Sequence, residues 1–270
     1  MSNITDVMDG YEYLVLVVDG RSVDGTDEIA RSMGAKVIYQ QGKGYGDALK
    51  TGFFHARKRL DADIIVMMDA DYTYDPIDIP KLAKPILENQ ADFVLGNRFA
   101  GMQQGAMTFV NRVGNNVLSL VAKLALGLNV YDTQSGMRAF RSTLLDQMNL
   151  VAVGMPFAME MLAQAHYAEA RIREVPVSYR PRVGRTKLNP IMDGGRILGI
   201  TVRLMFDIRP LLFFGGIGTV LGAVGLLLHY LTLPSELAHL VFPYIFMIGA
   251  MLLFLFGFMI YVIKRLRKHK

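Results

Sequence analysis

Asp69 and Asp71 stand one residue apart at the end of the apolar run Ile64-Ile65-Val66-Met67-Met68. Such a run reads as a short strand buried on both faces, as in a parallel sheet. Open α/β sheets bind ligands just beyond the carboxyl ends of their strands. Two carboxylates at i and i+2 can there share one hard cation, Mg2+ or Mn2+, whose shell is completed by water and substrate phosphates. The spacing points to a metal–diphosphate site. The plainer alternative makes Asp71 a turn cap and Asp69 a solvated carboxylate. Further on, Arg180, Arg182, Arg185 and Lys187 place four cations within eight residues. That density suits an anion such as a diphosphate, with a solvated basic loop or a membrane-surface patch as the alternative.

The elements that must position these groups alternate. Residues 13–18 form another buried-strand run, ending at Asp19-Gly20-Arg21-Ser22-Val23-Asp24-Gly25-Thr26. Asp24 or Thr26 would cap a helix over about 27–33. A strand at 36–39 leads to Gly42-Lys43-Gly44-Tyr45-Gly46-Asp47 and a helix to about Arg59. This glycine loop lacks P-loop spacing, so Lys43 is placed near a phosphate or simply in a β–α turn. After the Asp69 strand come a helix at about 78–89, a strand at 93–95 ending in Gly96-Asn97-Arg98, and a helical segment over 108–128 with Asn111, Arg112 and Asn115. The polar loop Asp132-Thr133-Gln134-Ser135-Gly136 precedes a strand at about 137–141 and a helix through Glu160. Residues 172–180 alternate like an edge strand that tolerates Pro176. Strand and helix in alternation, with turn chemistry at each strand end, predict a doubly wound parallel sheet.

The C-terminal third differs. Ile197, Ile200, Leu204, Met205 and Ile208 recur at helical spacing with Arg196, Arg203 and Arg209 between them, as in an amphipathic helix at a membrane interface or one docked on the protein's own core. Leu211–Leu231 and Val241–Ile263 contain no Asp, Glu, Lys or Arg. Each is long enough to cross a hydrocarbon layer of about 30 Å. A short link with Pro234 and Glu236 makes a hairpin, and Arg209 with the basic tail Lys264–Lys270 places both outer ends in the cytoplasm. Gly215, Gly216, Gly218, Gly222 and Gly225 would let helices approach closely, within the hairpin or in a homo-oligomer. The 270 residues are 52% apolar with net charge +5 and no cysteine, which excludes disulfides and thiolate metal sites. A basic tail after an apolar run points to anionic lipid rather than nucleic acid.

Together these motifs resemble the family-2 glycosyltransferases of GT-A fold, nearest to the dolichyl- or polyprenyl-phosphate mannose/glucose synthase branch. Asp19-Gly20-Arg21-Ser22-Val23-Asp24-Gly25-Thr26 looks like the family's nucleotide loop, with glycine at 20 where a second aspartate is usual. Gly42-Lys43-Gly44, Asp69-Ala70-Asp71, Asp132-Thr133-Gln134-Ser135-Gly136 and Arg182-Val183-Gly184-Arg185-Thr186-Lys187-Leu188 match its other motifs. The resemblance implies a GT-A-type, mostly parallel, Rossmann-like sheet over 1–190, an interfacial helix over 191–210, a transmembrane hairpin over 211–263 and a basic cytoplasmic tail over 264–270. It implies a multi-pass membrane enzyme, its catalytic domain cytoplasmic, moving mannose or glucose from a GDP- or UDP-sugar to dolichyl or polyprenyl phosphate. Asp19, Ser22, Asp24 and Lys43 would contact the nucleotide. Asp69, Ala70 and Asp71 would carry the metal motif, with Thr73 as a further ligand. Arg182 and Lys187 would close over the diphosphate, and Arg98, Arg112 and Ser135 would bind the acceptor phosphate.

A lipid phosphate has a second pKa of about 6, so it attacks without a strong base. This fits an arginine-rich site with no catalytic histidine. Two alternatives stay open: a sugar-hydroxyl acceptor with Glu160 as base, and a non-catalytic protein that binds nucleotide or partners. The family opens with a strand that the residues before Tyr13 do not resemble. Such a strand would lie inside the sheet, so weak or absent activity is the expectation for this sequence.

Overall fold

The backbone ladders fall into two groups. The computed structural model describes residues 12–154, 156–183, 190–231 and 237–268; the short N-terminus and Lys187 lie outside them. Strand β1 (Leu16–Asp19) pairs in parallel with β2 (Lys36–Tyr39), Leu16 opposite Lys36 and Asp19 opposite Tyr39. Strands β3 (Ile64–Met67), β4 (Phe93–Met102), β5 (Arg138–Arg141) and β6 (Ile172–Tyr179) form a second sheet in the order β3-β5-β4-β6. Between them run α1 (Thr26–Ser32), α2 (Tyr45–Arg59), α3 (Ile79–Leu87), α4 (Phe109–Leu126) and α5 (Phe157–Tyr167). The alternation read from the sequence is present, and the result is a mixed α/β fold of GT-A type.

Two features differ from expectation. Strand β5 runs antiparallel to both neighbours. The loop before it is held midway along β4, just past the Phe93–Leu95 stretch that pairs with β5, where Gly96 N–H bonds Met137 O and Arg98 N–H bonds Asp132. The chain therefore re-enters the sheet from beyond that stretch and must run back. The helix expected to reach Glu160 begins only at Phe157 and continues to Tyr167. Gly154, at φ 89°, and Pro156 interrupt any earlier helix; Ser142–Asp146 is a 3-10 turn instead. Strand β6 is at the sheet edge, as the alternation and Pro176 required.

An apolar layer packs helix α3 against the second sheet. Ile79, Leu82 and Ile86 of α3, spaced by three and four, pack on Val94, Ala139, Met137 and Val177. Pro76 and the Asp75 carboxylate, which accepts from Ile77 N–H, start that segment. Helix α2 touches both sheets. Gly52 sits so close to Val18 that a Cβ there would lie 2.9 Å from its side chain. Phe53 meets Phe140 of β5 edge-on at 5.1 Å.

The chain divides into two compact units, the second made of Leu124–Gly127 and Thr201–Lys270. Helix α6 (Pro190–Ile208) covers the expected interfacial segment, and α7 (Pro210–Leu231) and α8 (Leu237–Lys268) follow. Pro210–Leu231 and Val241–Ile263 are long and apolar enough to cross a membrane. Helices α7 and α8 pack antiparallel. A Cβ at Gly218 would meet Ala250 O and Phe254, one at Gly225 would meet Pro243 O and Met247, and one at Gly257 would meet Phe214. Gly215 lies against Phe254 as well, whereas Gly216 faces no neighbour within 4 Å. Helix α8 carries on through the first residues of the basic tail to Lys268.

Candidate active site

The Asp69–Asp71 pair sits where β3 ends, as the sequence required. Asp71 folds back on its own turn: its Oδ1 accepts from Thr73 N–H at 3.1 Å and Thr73 Oγ1 at 2.5 Å. That turn needs Tyr72 at φ 70°, a conformation costly for a side-chain-bearing residue. The Tyr72 ring stacks under the Arg180 guanidinium, 5.3 Å away. Arg180 N–H bonds Thr73 O at 2.8 Å, and Tyr74 bridges Tyr179. This zipper ties the loop after β3 to the end of β6. It brings Arg182, 111 residues away, onto Asp71 Oδ2, with Nε at 2.8 Å and Nη2 on the same oxygen. Burial pushes the Asp71 carboxyl up, but the Thr73 and Arg182 bonds outweigh it and hold the pKa below its ordinary value.

Asp69 is half-buried. Burial pushes its carboxyl above the ordinary range and the neighbouring Asp71 adds to the push; Arg98, the Tyr45 hydroxyl and Arg182 oppose it. A Cβ on Gly136 would overlap the Asp69 carboxylate, so any side chain after Ser135 would displace that carboxylate or the loop. Tyr45 and Gly136 were missed as site residues. The signal for Gly136 was in the Ser135-Gly136 pair; for Tyr45 nothing in the sequence marked it.

A buried network holds the loop 131–136. Arg98 grips Asp132 with Nε at 2.7 Å and Nη2 at 2.8 Å, and its guanidinium lies 5.2 Å from the Tyr179 ring. Arg138, fully buried, donates to the carbonyls of Thr133, Ser135 and Ala158. Tyr74 Oη accepts from Gly136 N–H at 2.6 Å. Glu174 accepts from the N–H groups of Tyr131 and Asp132 and from Asn97 Nδ2. Burial raises the Glu174 carboxyl above its ordinary pKa against those bonds.

The residues expected to bind acceptor phosphate are therefore not assembled on one open surface. Ser135 is buried beside Tyr74 and Met137, and Arg98 is buried on Asp132. Arg112 is exposed on α4 and lines an open cleft of about 350 Å³ with Asn97, Phe99, Ala100, Asn116 and Tyr131. The expected nucleotide residues lie at the ends of β1 and β2. Asp19 accepts from Ser22 N–H at 2.9 Å and Ser22 Oγ at 2.6 Å, and the Ser22 hydroxyl bond is the main cause of its lowered pKa. Asp24 accepts from Thr26 N–H and Oγ1, satisfying a donor of the first turn of α1. Gly42 N–H bonds Asp47 at 2.7 Å. Lys43, with Gly20, Arg21, Gln40, Gln41 and Gly42, lines a second cleft of about 230 Å³. Glu160 turns both oxygens to the N–H groups of Val151 and Ala152.

The donor set at β3 fits a hard divalent cation. It offers two carboxylates from one short turn, one of them strained by burial and by its neighbour. Among the described residues no third acidic or histidine side chain completes a cluster. Thr73 is buried with its hydroxyl on Asp71.

The model of the family described as "Glycosyl transferase family 2" matches residues 3–148. The chain is 38% identical to "Glycosyltransferase AglJ" of Haloferax volcanii, over 83% of this chain and 73% of that one. It is 35% identical to the "Dolichyl-phosphate hexose transferase" of the same organism, over 77% of this chain and 88% of that one. Among solved structures it is similar to glucosyl-3-phosphoglycerate synthase of Mycobacterium tuberculosis, in complex with Mn2+, UDP and glucosyl-3-phosphoglycerate. That match has a TM-score of 0.60 at 22% identity and covers 76% of this chain and 73% of that one. A paired carboxylate at a strand end, a mixed α/β sheet of this order and relatives of this length agree: the chain belongs to glycosyl transferase family 2 and is a glycosyltransferase.

Proposed function

We propose that this glycosyltransferase moves a hexose, mannose or glucose, from a GDP- or UDP-sugar to dolichyl or polyprenyl phosphate at the cytoplasmic face of a membrane. One observation carries the reading: Arg182 reaches across from the end of β6 to Asp71. A cation side chain and two carboxylates then frame one point at the mouth of the sheet. Departure of a nucleoside diphosphate needs its growing charge neutralised where it leaves. Asp69 and Asp71 would hold Mg2+ or Mn2+, which supplies part of that neutralisation when bound. Arg182 then exchanges its carboxylate partner for phosphate oxygens, and Lys187 assists. Asp19, Ser22, Asp24 and Lys43 border the nucleotide end. Thr73 orients Asp71 rather than the donor.

The lipid phosphate oxygen attacks the anomeric carbon as the bond to the diphosphate oxygen breaks, which inverts that centre. The nucleophile is already ionised at neutral pH, so no proton has to be removed. Arg112, on its open cleft, is the cation for the acceptor phosphate, with Arg98 and Ser135 holding the loop behind it. A sugar-hydroxyl acceptor would need a carboxylate base, and the carboxylate of Glu160 is engaged with two backbone N–H groups. The relative named as a dolichyl-phosphate hexose transferase and the two apolar helices support the same acceptor class.

The test is transfer of radiolabelled hexose from GDP-mannose or UDP-glucose to a short polyprenyl phosphate, in membranes containing the full chain with Mn2+ or Mg2+. Lipid-linked product that disappears in Asp71→Ala supports the assignment and names the donor. Folded protein that makes no product with either donor, and still none once a family-like first strand is added ahead of Tyr13, overturns it.

A further inference from the structure

Among the described residues, Arg21, Asp61, Tyr72, Asn89 and Glu169 hold a left-handed backbone without being glycine, at φ between 50° and 70°. Asp61, Asn89 and Glu169 each stand two residues past the last residue of α2, α3 and α5, where helices commonly end in this conformation. Tyr72 belongs to the Asp71 turn, and its ring is stacked with Arg180. Arg21 has neither reason. It follows β1, and its neighbour Gly20 does not take the left-handed conformation. The glycine of this turn therefore stands one residue away from the position that would use it, and a long cation takes the strained place. Arg21 is exposed, and among the described residues nothing accepts a hydrogen bond from its guanidinium.

Arg21 lines the cleft of about 230 Å³ with Gln40 and Lys43. Sites for whole drug-sized ligands begin at about 300 Å³, so this one takes a part of a nucleotide. Gln40 follows the last β1–β2 pair, and its carboxamide lies over Gly20, 3.7 Å from where a Cβ would be. Its Nε2 donates to Gly42 O at 3.0 Å, which leaves Oε1 as an acceptor. The carboxylates nearby are turned to their own loops: Asp19 to Ser22, Asp24 to Thr26 and Asp47 to Gly42. The cleft thus offers a guanidinium fork and an ammonium as donors, and an amide oxygen as acceptor.

We infer that Arg21 and Gln40 read the nucleobase, and that they select a base carrying a ring N–H beside a carbonyl. Gln40 Oε1 accepts from the ring N–H, and the Arg21 guanidinium donates to the carbonyl oxygen. Uracil and guanine both present that edge. Cytosine and adenine present an amino group and a ring nitrogen without hydrogen instead, so donor meets donor and acceptor meets lone pair. A site built for one hydrogen-bond pattern rejects the other, because its own groups are then left unpaired. The inference rests on the proposed function in placing the nucleotide at the ends of β1 and β2, but not on the sugar, the acceptor or transfer itself.

The test is calorimetric titration of the detergent-solubilised full chain with UDP, GDP, CDP and ADP, each with Mn2+. Ribose, diphosphate and metal are common to all of them, so the ratios of affinity isolate the base. UDP or GDP is expected to bind at least about tenfold more tightly than CDP and ADP, which one or two hydrogen bonds supply, and the tighter of the two names the donor's base. Arg21→Gly suits the left-handed backbone and so keeps the turn. It and Gln40→Ala should each cut the preference to about threefold or less, with CDP and ADP binding as before. A preference below about threefold in the parent, or one that survives Arg21→Gly, overturns the inference; lipid-linked product in the transfer assay would still leave the proposed function standing. No binding of any of these nucleotides to the folded chain removes the donor reading and this inference together.

Discussion

The loop 131–136 and the glycine loops after β1 and β2 both carry expected site residues, yet their polar groups find partners at different range. Asp132 is held by Arg98 and Glu174 by the loop's own N–H groups, contacts that span 34 and 42 residues. Arg138 and Tyr74 close the loop from other elements. Asp19, Asp24 and Asp47 instead bond within five residues. A network of long-range buried bonds cannot shift one member without disturbing the rest. Local turns can open singly. The first region is a frame that fixes where Asp69 and Arg98 stand, and the second is an edge whose turns can move one at a time.

The sharpest way to break that contrast is Asp132→Ala. It leaves Arg98 buried without its counter-charge, and unpairing a buried ion of this kind costs about 3–5 kcal/mol. Chemical denaturation of the detergent-solubilised chain measures it. A loss below about 1 kcal/mol, the value of an exposed pair, would show that the loop is not a frame. Gly136→Ala comes next. Its methyl overlaps the Asp69 carboxylate, so either the loop or the carboxylate moves. Overpacking of this sort costs about 1–3 kcal/mol. Displacing a reacting group by about 1 Å can lower turnover some hundredfold, which the hexose-transfer assay reads directly. Stability and turnover both within error of the parent chain would sink the claim that Gly136 fixes the place of the Asp69 carboxylate.

What could be read in the sequence divides along the same line. The strand ending in Asp69-Ala70-Asp71, the edge strand with Pro176 and the two apolar helices were legible, because local composition and period fix them. The self-capping of Asp19 by Ser22 was within reach of the same reasoning, since its partner is three residues away. Arg98 and Ser135 were read as ligands of an acceptor. Nothing in residues 97–98 or 135 says that Asp132 and Tyr74 will claim them first. Glu174 looked like one member of an alternating strand, and its role exists only once β6 lies beside β4. The reversed direction of β5 has the same origin: the tie from Asp132 to Arg98 sets it, not the strand's own residues.

The smallest effects separate the two regions by sign. Glu174 has a raised carboxyl pKa, first from burial. The folded chain binds that proton more tightly than the unfolded one, so the residue's contribution to stability falls as pH rises from the ordinary glutamate range through its raised value. Glu174→Gln removes this slope, and the variant should gain on the parent over that window. Asp19 has a lowered pKa, first from the Ser22 hydroxyl. Its contribution is complete above the ordinary aspartate range and is lost as pH falls through its lower folded value. Ser22→Ala takes away one hydrogen bond, worth about 0.5–1.5 kcal/mol, and should flatten the acid limb alone. Melting curves of both variants and the parent across the acid range decide the matter. Slopes of opposite sign mean that the frame holds its carboxylate against desolvation while local hydrogen bonds hold Asp19 at the edge. Slopes of one sign would mean that burial does not govern the Glu174 carboxyl, and that the contrast between frame and edge fails there.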